Sequence, residues 1–437
     1  MDEASEGRDV MASRDHPLRY ALTNELHARP FTELVAPEQV SHFGMLSPES
    51  EIAAERVHLL ALCQRYGIAE LPAGATHFAA DFGVFRLKWE RHSEFSTYTF
   101  FHRGAVAEPF AETASARVPR DWLDGLPGAR LVAAHVELAP EGAPALSPDQ
   151  LSRHFVPESL CRGRMLGGVA DVWTDFRIHA DGFARTLVQD RGMAPRQAGR
   201  LVQRLLETHT YRNMALLALP LARETGPVIT RVDRSLAQLT ARMKTLETTG
   251  DQQNLLDELI SVSAEIEESI AATSYRFSAA RAYNALVGER VAEMGEEAVE
   301  GQPRLSEFIE RRLAPAMRTC ESVAERQQAL SERATRTADL LRTRVDIALE
   351  GQNRDLLASM DRRARLQLRL QQTVEGLSVA AITYYLVSLV GYALKAVEKA
   401  GTEVDVDLWR GVAIPVVAVA VWAGLRLVRR SLSRDGD

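Results

Sequence analysis

The densest group of chemically capable side chains lies near the start of the chain, in HPLRYALTNELHARPF, residues 16–31. His16, His27 and the downstream His42, with Glu25 and Glu33, offer the nitrogen and oxygen donors that hold transition metals. No HExxH or His-x-His spacing puts these donors on one face, so neither a metal site nor any cofactor is expected. Arg19, Asn24, His27 and Arg29 suit a different task, either hydrogen bonding to loop backbone or a basic pocket for a small anion. They are the candidate ligand-binding residues.

A second run, WERHSEFSTY at 89–98, sets Glu90, Arg91, His92, Ser93 and Glu94 side by side. A Ser/His pair can be read into it, but the chain supplies no nucleophile elbow and no Walker sequence. Gly163, Gly167 and Gly168 do not have GxGxxG spacing. The charges of 90–94 read as an exposed turn, no catalytic residue is expected, and a non-enzymatic role follows. A third polar set lies in an apolar setting near the C-terminus. Ser378, Tyr385, Ser388 and Tyr392 fall within about 80° on a helical wheel, with Glu375 roughly 60° further round. Such a stripe lines a water path or joins helices, and Gly376 and Gly391 permit the close approach that joining needs.

The segment holding that stripe determines where the chain resides. Gly376–Leu394 carries no charge and, as a helix, spans roughly 28 Å, about one hydrocarbon thickness. Gly411–Leu425 is shorter, about 22 Å, and crosses if Arg410 and Arg426 snorkel to the two surfaces. The reading is a transmembrane hairpin over 374–430, with spans at 376–395 and 409–428 and a tail at 431–437. Arg362, Arg363, Arg365 and Arg369 precede the first span, and Arg426, Arg429, Arg430 and Arg434 follow the second. Positive residues stay inside, so both termini are expected to be cytoplasmic, in an inner membrane. Trp409 and Trp422 suit the interfacial belts.

With 437 residues and 46% hydrophobic content the chain can build a real core and two or three units. A net charge of −7 argues against general nucleic-acid binding. The three cysteines, Cys63, Cys161 and Cys320, have no paired spacing, as expected of a reducing compartment. The first fifteen residues lack an apolar stretch, so no cleavable secretion signal is expected and 1–15 reads as disordered. All 11 histidines fall between His16 and His209, which marks a change of composition near residue 220.

Upstream of that change, helix and strand signals alternate. Pro48–Tyr66 has helical period and stops at Gly67. His77–His92 and Phe95–His102 read as strands about a turn at Arg91–Glu94, and Arg130–Leu138 as another strand. Val169–His179 and Phe183–Gln189 form a hairpin about Ala180–Asp181–Gly182. FRLKWERHSEFSTYTF (85–100) and FRIHADGFARTLV (176–188) are loosely alike and suggest an internal duplication. Residues 16–220 are therefore expected to form a cytoplasmic α+β domain with a largely antiparallel sheet. Helices are expected at 196–219, broken near Pro220 and Gly226–Pro227, then at 229–246 and 254–293, with one long run from Leu305. Leu349, Leu356, Leu370 and Leu377 share a heptad position, making 227–373 a long helical, coiled-coil-like stalk that enters the first span without a breaker.

HPLRYALTNELHARPF, KWERHSEFSTYTFF (88–101), RRLAPAMRTCESV (311–323) and NRDLLASMDRRARLQLRLQQTVEGLSVAAITYYLVSLVGY (353–392) resemble an uncharacterised family of bacterial membrane-anchored proteins. The resemblance covers 16–395 and implies a membrane anchor, with no known activity to carry over. In architecture alone the chain also resembles CorA-type magnesium channels. Those carry Gly-Met-Asn at the outer end of the first span, where this chain reads Gly391-Tyr392-Ala393. The expected partners are the lipid bilayer, further copies of the chain through the stalk, and a protein or small anion at the N-terminal domain, with no nucleic acid. The leading expectation is a membrane-anchored, non-enzymatic scaffold or ligand sensor; the alternative is a CorA-like divalent-cation channel without its motif.

Overall fold

The computed structural model describes residues 16, 18–20, 22–23, 31–72, 74–105, 107–144, 146–245, 248–399 and 405–432. The chain divides into two compact units, one comprising residues up to Arg242 together with Glu258–Thr337, the other Met243–Asp257 together with Ala338–Asp437.

The first unit is built on a mixed, mostly antiparallel sheet of nine strands: β1 (Glu38–Leu46), β2 (His77–Asp81), β3 (Arg86–Arg91), β4 (Phe95–Arg103), β5 (Ala129–Ala139), β6 (Cys161–Met165), β7 (Ala170–Ile178), β8 (Ala184–Asp190) and β9 (Glu297–Ala298). Their order is β2-β3-β4-β1-β5-β8-β7-β6-β9. The segment expected as one strand over 77–92 is two, because Phe82–Phe85 closes a turn and pairs Ala80 with Leu87. The helices are α1 (Ile52–Tyr66), α2 (Arg120–Asp124), α3 (Pro148–His154), α4 (Pro195–Leu216), α5 (Ala218–Arg242), α6 (Thr249–Glu293), α7 (Leu305–Lys399) and α8 (Val406–Leu432).

Strand order repeats across the middle of the sheet, but strand direction does not. β1 lies beside the last strand of the meander β2-β3-β4, and β5 beside the last strand of β6-β7-β8. Yet β1 runs antiparallel to β4, whereas β5 runs parallel to β8. A duplicated unit would keep one direction, so the likeness of the two hairpins does not extend to a duplicated fold.

Alternation assigns the strand faces. One face of β1, β3 and β4 carries Phe43, Met45, Leu87, Trp89, Tyr98 and Phe100, packed with Leu59, Leu62 and Cys63 of α1 and with Trp122 of α2. On the opposite face, Val40, Ala134, Val136, Val172 and Val188 pack with Leu201, Val202 and Leu205 of α4. Helix α4 approaches the chain at Thr32 so closely that a Cβ on Gly199 would collide with the Thr32 carbonyl.

Beyond α4 the break expected at Pro220 is a change of helix at Leu217, and Pro220 falls in the first turn of α5, where its missing N–H costs nothing. Pro227 does not end a helix: α5 runs through it. The part of α7 in this unit buries Ala316, Cys320, Val323, Gln327, Leu330, Ala334 and Thr337, in alternating steps of four and three. Polar contacts fix the neighbours: Arg333 pairs with Asp233 of α5 at 2.6 Å, and the Gln327 amide donates to Ser269 of α6 at 2.8 Å.

In the second unit Leu255 and Leu341 are fully buried, and Arg344 donates to the Met243 carbonyl. Further along α7 the heptad leucines are open: Leu349, Leu356, Leu370 and Leu377 are all exposed. Among the described residues, two helical segments are long and apolar enough to cross a membrane, one within α7 and Asp407–Leu427 of α8. Their most apolar windows are 11% and 0% buried, so their apolar side chains are not the core of this unit.

Candidate functional site

The two faces of β3 and β4 make different chemical demands. Lys88 lies opposite Thr99, and Glu90 opposite Thr97, while His42 of β1 flanks Thr99 from the other side. These five residues continue the face that is apolar beneath β5, β7 and β8. An antiparallel sheet with a polar face usually turns it to water. Here α4 covers it, and the polar residues α4 brings are Gln203, Glu207, Thr210 and Tyr211. Between the sheet and α4 lies a cavity of about 260 Å³, bordered by Arg290 of α6 and lined on its apolar side by Leu34, Phe95, Phe101, Val202 and Leu206.

The cavity's charges are paired. Lys88 Nζ lies 3.0 Å from Glu90, and both side chains are largely buried. Arg290 pairs with Glu207, which also accepts a 2.7 Å hydrogen bond from the Gln203 amide. His42 is held by two threonines, with Nδ1 2.9 Å from Thr99 Oγ1 and Nε2 3.0 Å from Thr210 Oγ1. The Thr210 hydroxyl donates its proton to the Leu206 carbonyl, so it can only accept from His42. Nε2 therefore carries the imidazole proton, and Nδ1 accepts from Thr99. Burial, with Lys88 nearby, pushes the His42 pKa down to about 3, so the ring is neutral. The aromatic edge is continuous: His92 stacks on Phe95, Phe95 meets Tyr283, and Tyr211 stacks on Tyr283.

This arrangement corrects the reading of 90–94 as exposed turn charges. Glu90 lines the cavity. Arg91 is buried on the other face, where it donates to Glu55 at 3.0 Å and to the Ser47 carbonyl at 2.8 Å; Ser96 donates to the second Glu55 oxygen at 2.6 Å. Glu94 receives Arg276 at 2.6 Å and the Tyr283 hydroxyl at 2.9 Å. A separate Ser–His contact, Ser41 Oγ to His135 Nδ1 at 2.9 Å, is sealed within the sheet. The ring stacks on Phe183 at 3.8 Å, and burial lowers its pKa to about 4. Its geometry is that of a satisfied internal pair.

Of the residues expected to bind a ligand, Arg19 sits exposed on a helical turn, where Thr23 donates to its carbonyl at 2.9 Å. Asn24, His27 and Arg29 lie outside the described residues. Of the donors considered for a metal, Glu25 and His27 also lie outside the described residues; the other three are apart, with His42 in the cavity, Glu33 paired with Arg196 at 2.9 Å, and His16 exposed. No three metal-ligating side chains converge among the described residues.

The polar set in the first apolar segment also separates. The Ser378 and Ser388 hydroxyls each donate to the carbonyl four residues earlier, at 2.8 Å. Tyr385 and Tyr392 are 68% and 73% exposed. The less exposed positions are Glu375, Ser378, Val379, Thr383, Val387, Ser388, Gly391 and Leu394, a seam made mostly of small and β-branched residues. At Gly391 an added Cβ would come within 2.9 Å of Arg410 Nε on α8, so this seam faces the second helix.

The chain belongs to the family described as "Protein of unknown function (DUF3422)", which it matches over residues 14–432. No curated protein matches it.

Proposed function

We propose that this member of the family is a non-enzymatic, membrane-anchored sensor whose sheet domain binds a small polar molecule between β3, β4 and α4. One observation carries the reading: a sheet face bearing Lys88, Glu90, Thr97, Thr99 and His42 lines a cavity of about 260 Å³ beneath α4. Polar groups placed around apolar walls are how small-molecule sites fix orientation. The anchor is the α7–α8 hairpin, whose exposed apolar surface suits lipid, and the arginine flanks favour an inner membrane with both termini in the cytoplasm. The open leucines of α7 support self-association of the stalk, parallel because every copy would enter the same membrane.

The continuous backbone of α7 from the sheet-bearing unit into an apolar segment also supports the CorA-like channel as a second reading. Its polar residues speak for packing instead, since both serine hydroxyls are satisfied by their own helix.

The test is a thermal-shift screen of the full-length chain in detergent against polar metabolites, in parallel with Lys88→Met. The proposal predicts compounds that raise the wild-type melting temperature and not that of the variant. A library with no compound active on the wild type, or only compounds equally active on both, would contradict it.

A further inference from the structure

Two basic and two acidic side chains line the cavity in opposed pairs, Lys88 with Glu90 and Arg290 with Glu207. His42, with one ring nitrogen donating and the other accepting, adds no charge. A lone anion or cation entering this space would leave one uncompensated charge in a low-dielectric site, which is expensive. An apolar molecule would strip water from charged groups without replacing its hydrogen bonds. A molecule with one charge of each sign avoids both costs, since its cation can meet Glu90 or Glu207 while its anion meets Lys88 or Arg290. The apolar floor of Leu34, Phe95, Phe101, Val202 and Leu206 asks for a hydrocarbon part as well. The volume, about 260 Å³, falls just below the roughly 300–1,000 Å³ typical of ligand sites, too small for a nucleotide or a folded peptide.

Resting on the reading of this cavity as a ligand site, we infer that its occupant is a small zwitterion of the α-amino-acid class with an apolar side chain. The test uses three molecules that share one hydrocarbon part and differ in the charged groups they carry: L-leucine, 4-methylpentanoate, which lacks the ammonium, and 3-methylbutylamine, which lacks the carboxylate. Each is titrated calorimetrically into the full-length chain in detergent. Leucine should bind at least tenfold more tightly than either relative. The variant Glu207→Gln should weaken leucine by about tenfold and tighten 4-methylpentanoate, because it removes the carboxylate that pairs with Arg290. Binding of the amine or the carboxylate as tight as that of leucine would overturn the inference while leaving a ligand site in place. Silence from all three, and from L-methionine and L-phenylalanine, would overturn it too; a metabolite screen that is equally silent would take the ligand-site reading with it. The comparison on the wild-type chain stands whether or not the variant folds.

Discussion

Glu137 gives the first unit a built-in pH dependence. It lies on β5 directly opposite Gln39 of β1, is 4% exposed, and accepts a 3.2 Å hydrogen bond from the Gln39 amide. Burial disfavours its carboxylate and outweighs that hydrogen bond, raising the pKa from 4.5 to about 7. The folded state thus holds a proton that the unfolded chain releases earlier. Stability from this group is complete below pH 4.5 and is lost as pH rises through about 7. At about 1.4 kcal/mol per pKa unit, the loss amounts to about 3 kcal/mol. Glu137→Gln keeps the acceptor and removes the titration. Denaturant unfolding of both proteins in the same detergent, from pH 4.5 to 8, should show the variant gaining about 3 kcal/mol on the wild type across that range. Curves that stay parallel would refute the reasoning.

Glu55→Gln should cost about 3–5 kcal/mol, read as a shifted unfolding midpoint, because Arg91 is then left charged and buried beside Ser96. In the apolar hairpin, Gly391→Ala should be tolerated through a small movement of the Arg410 side chain. Gly391→Ile should lower the melting temperature in detergent by several degrees. Cys63 and Cys161 are fully buried and Cys320 nearly so, with all three thiols pushed up by burial, Cys161 to about 12. A thiol reagent at pH 8 should label the native chain slowly and the denatured chain at three sites.

The fold was largely legible, and the site was not, for one physical reason. Alternation along 85–90 and 95–101 correctly separates Leu87, Trp89, Tyr98 and Phe100 from Lys88, Glu90, Thr97 and Thr99. Period two says which residues share a face, though, and not what covers that face; a polar face looks the same against water as against a helix. The available signal was on α4, where Gln203, Glu207 and Tyr211 recur every four residues and form a polar stripe beside the apolar one of Leu201, Val202 and Leu205. Two polar surfaces that must meet imply a space between them. The sheet order was equally hidden, since the parallel pairing of β5 with β8 joins segments some fifty residues apart. Residues 16–31 drew attention for their histidines and arginines; among the described residues near them, Thr32 and Leu34 line the cavity.

The most direct measurement is mass spectrometry of the small molecules that co-purify with the gently isolated full-length chain, compared with Val202→Phe. That substitution adds a ring to the cavity floor without touching its charges. The account predicts a small molecule released from the wild-type protein in near-stoichiometric amount and absent from the folded variant. The same molecule retained by both proteins would place its site elsewhere and contradict the account.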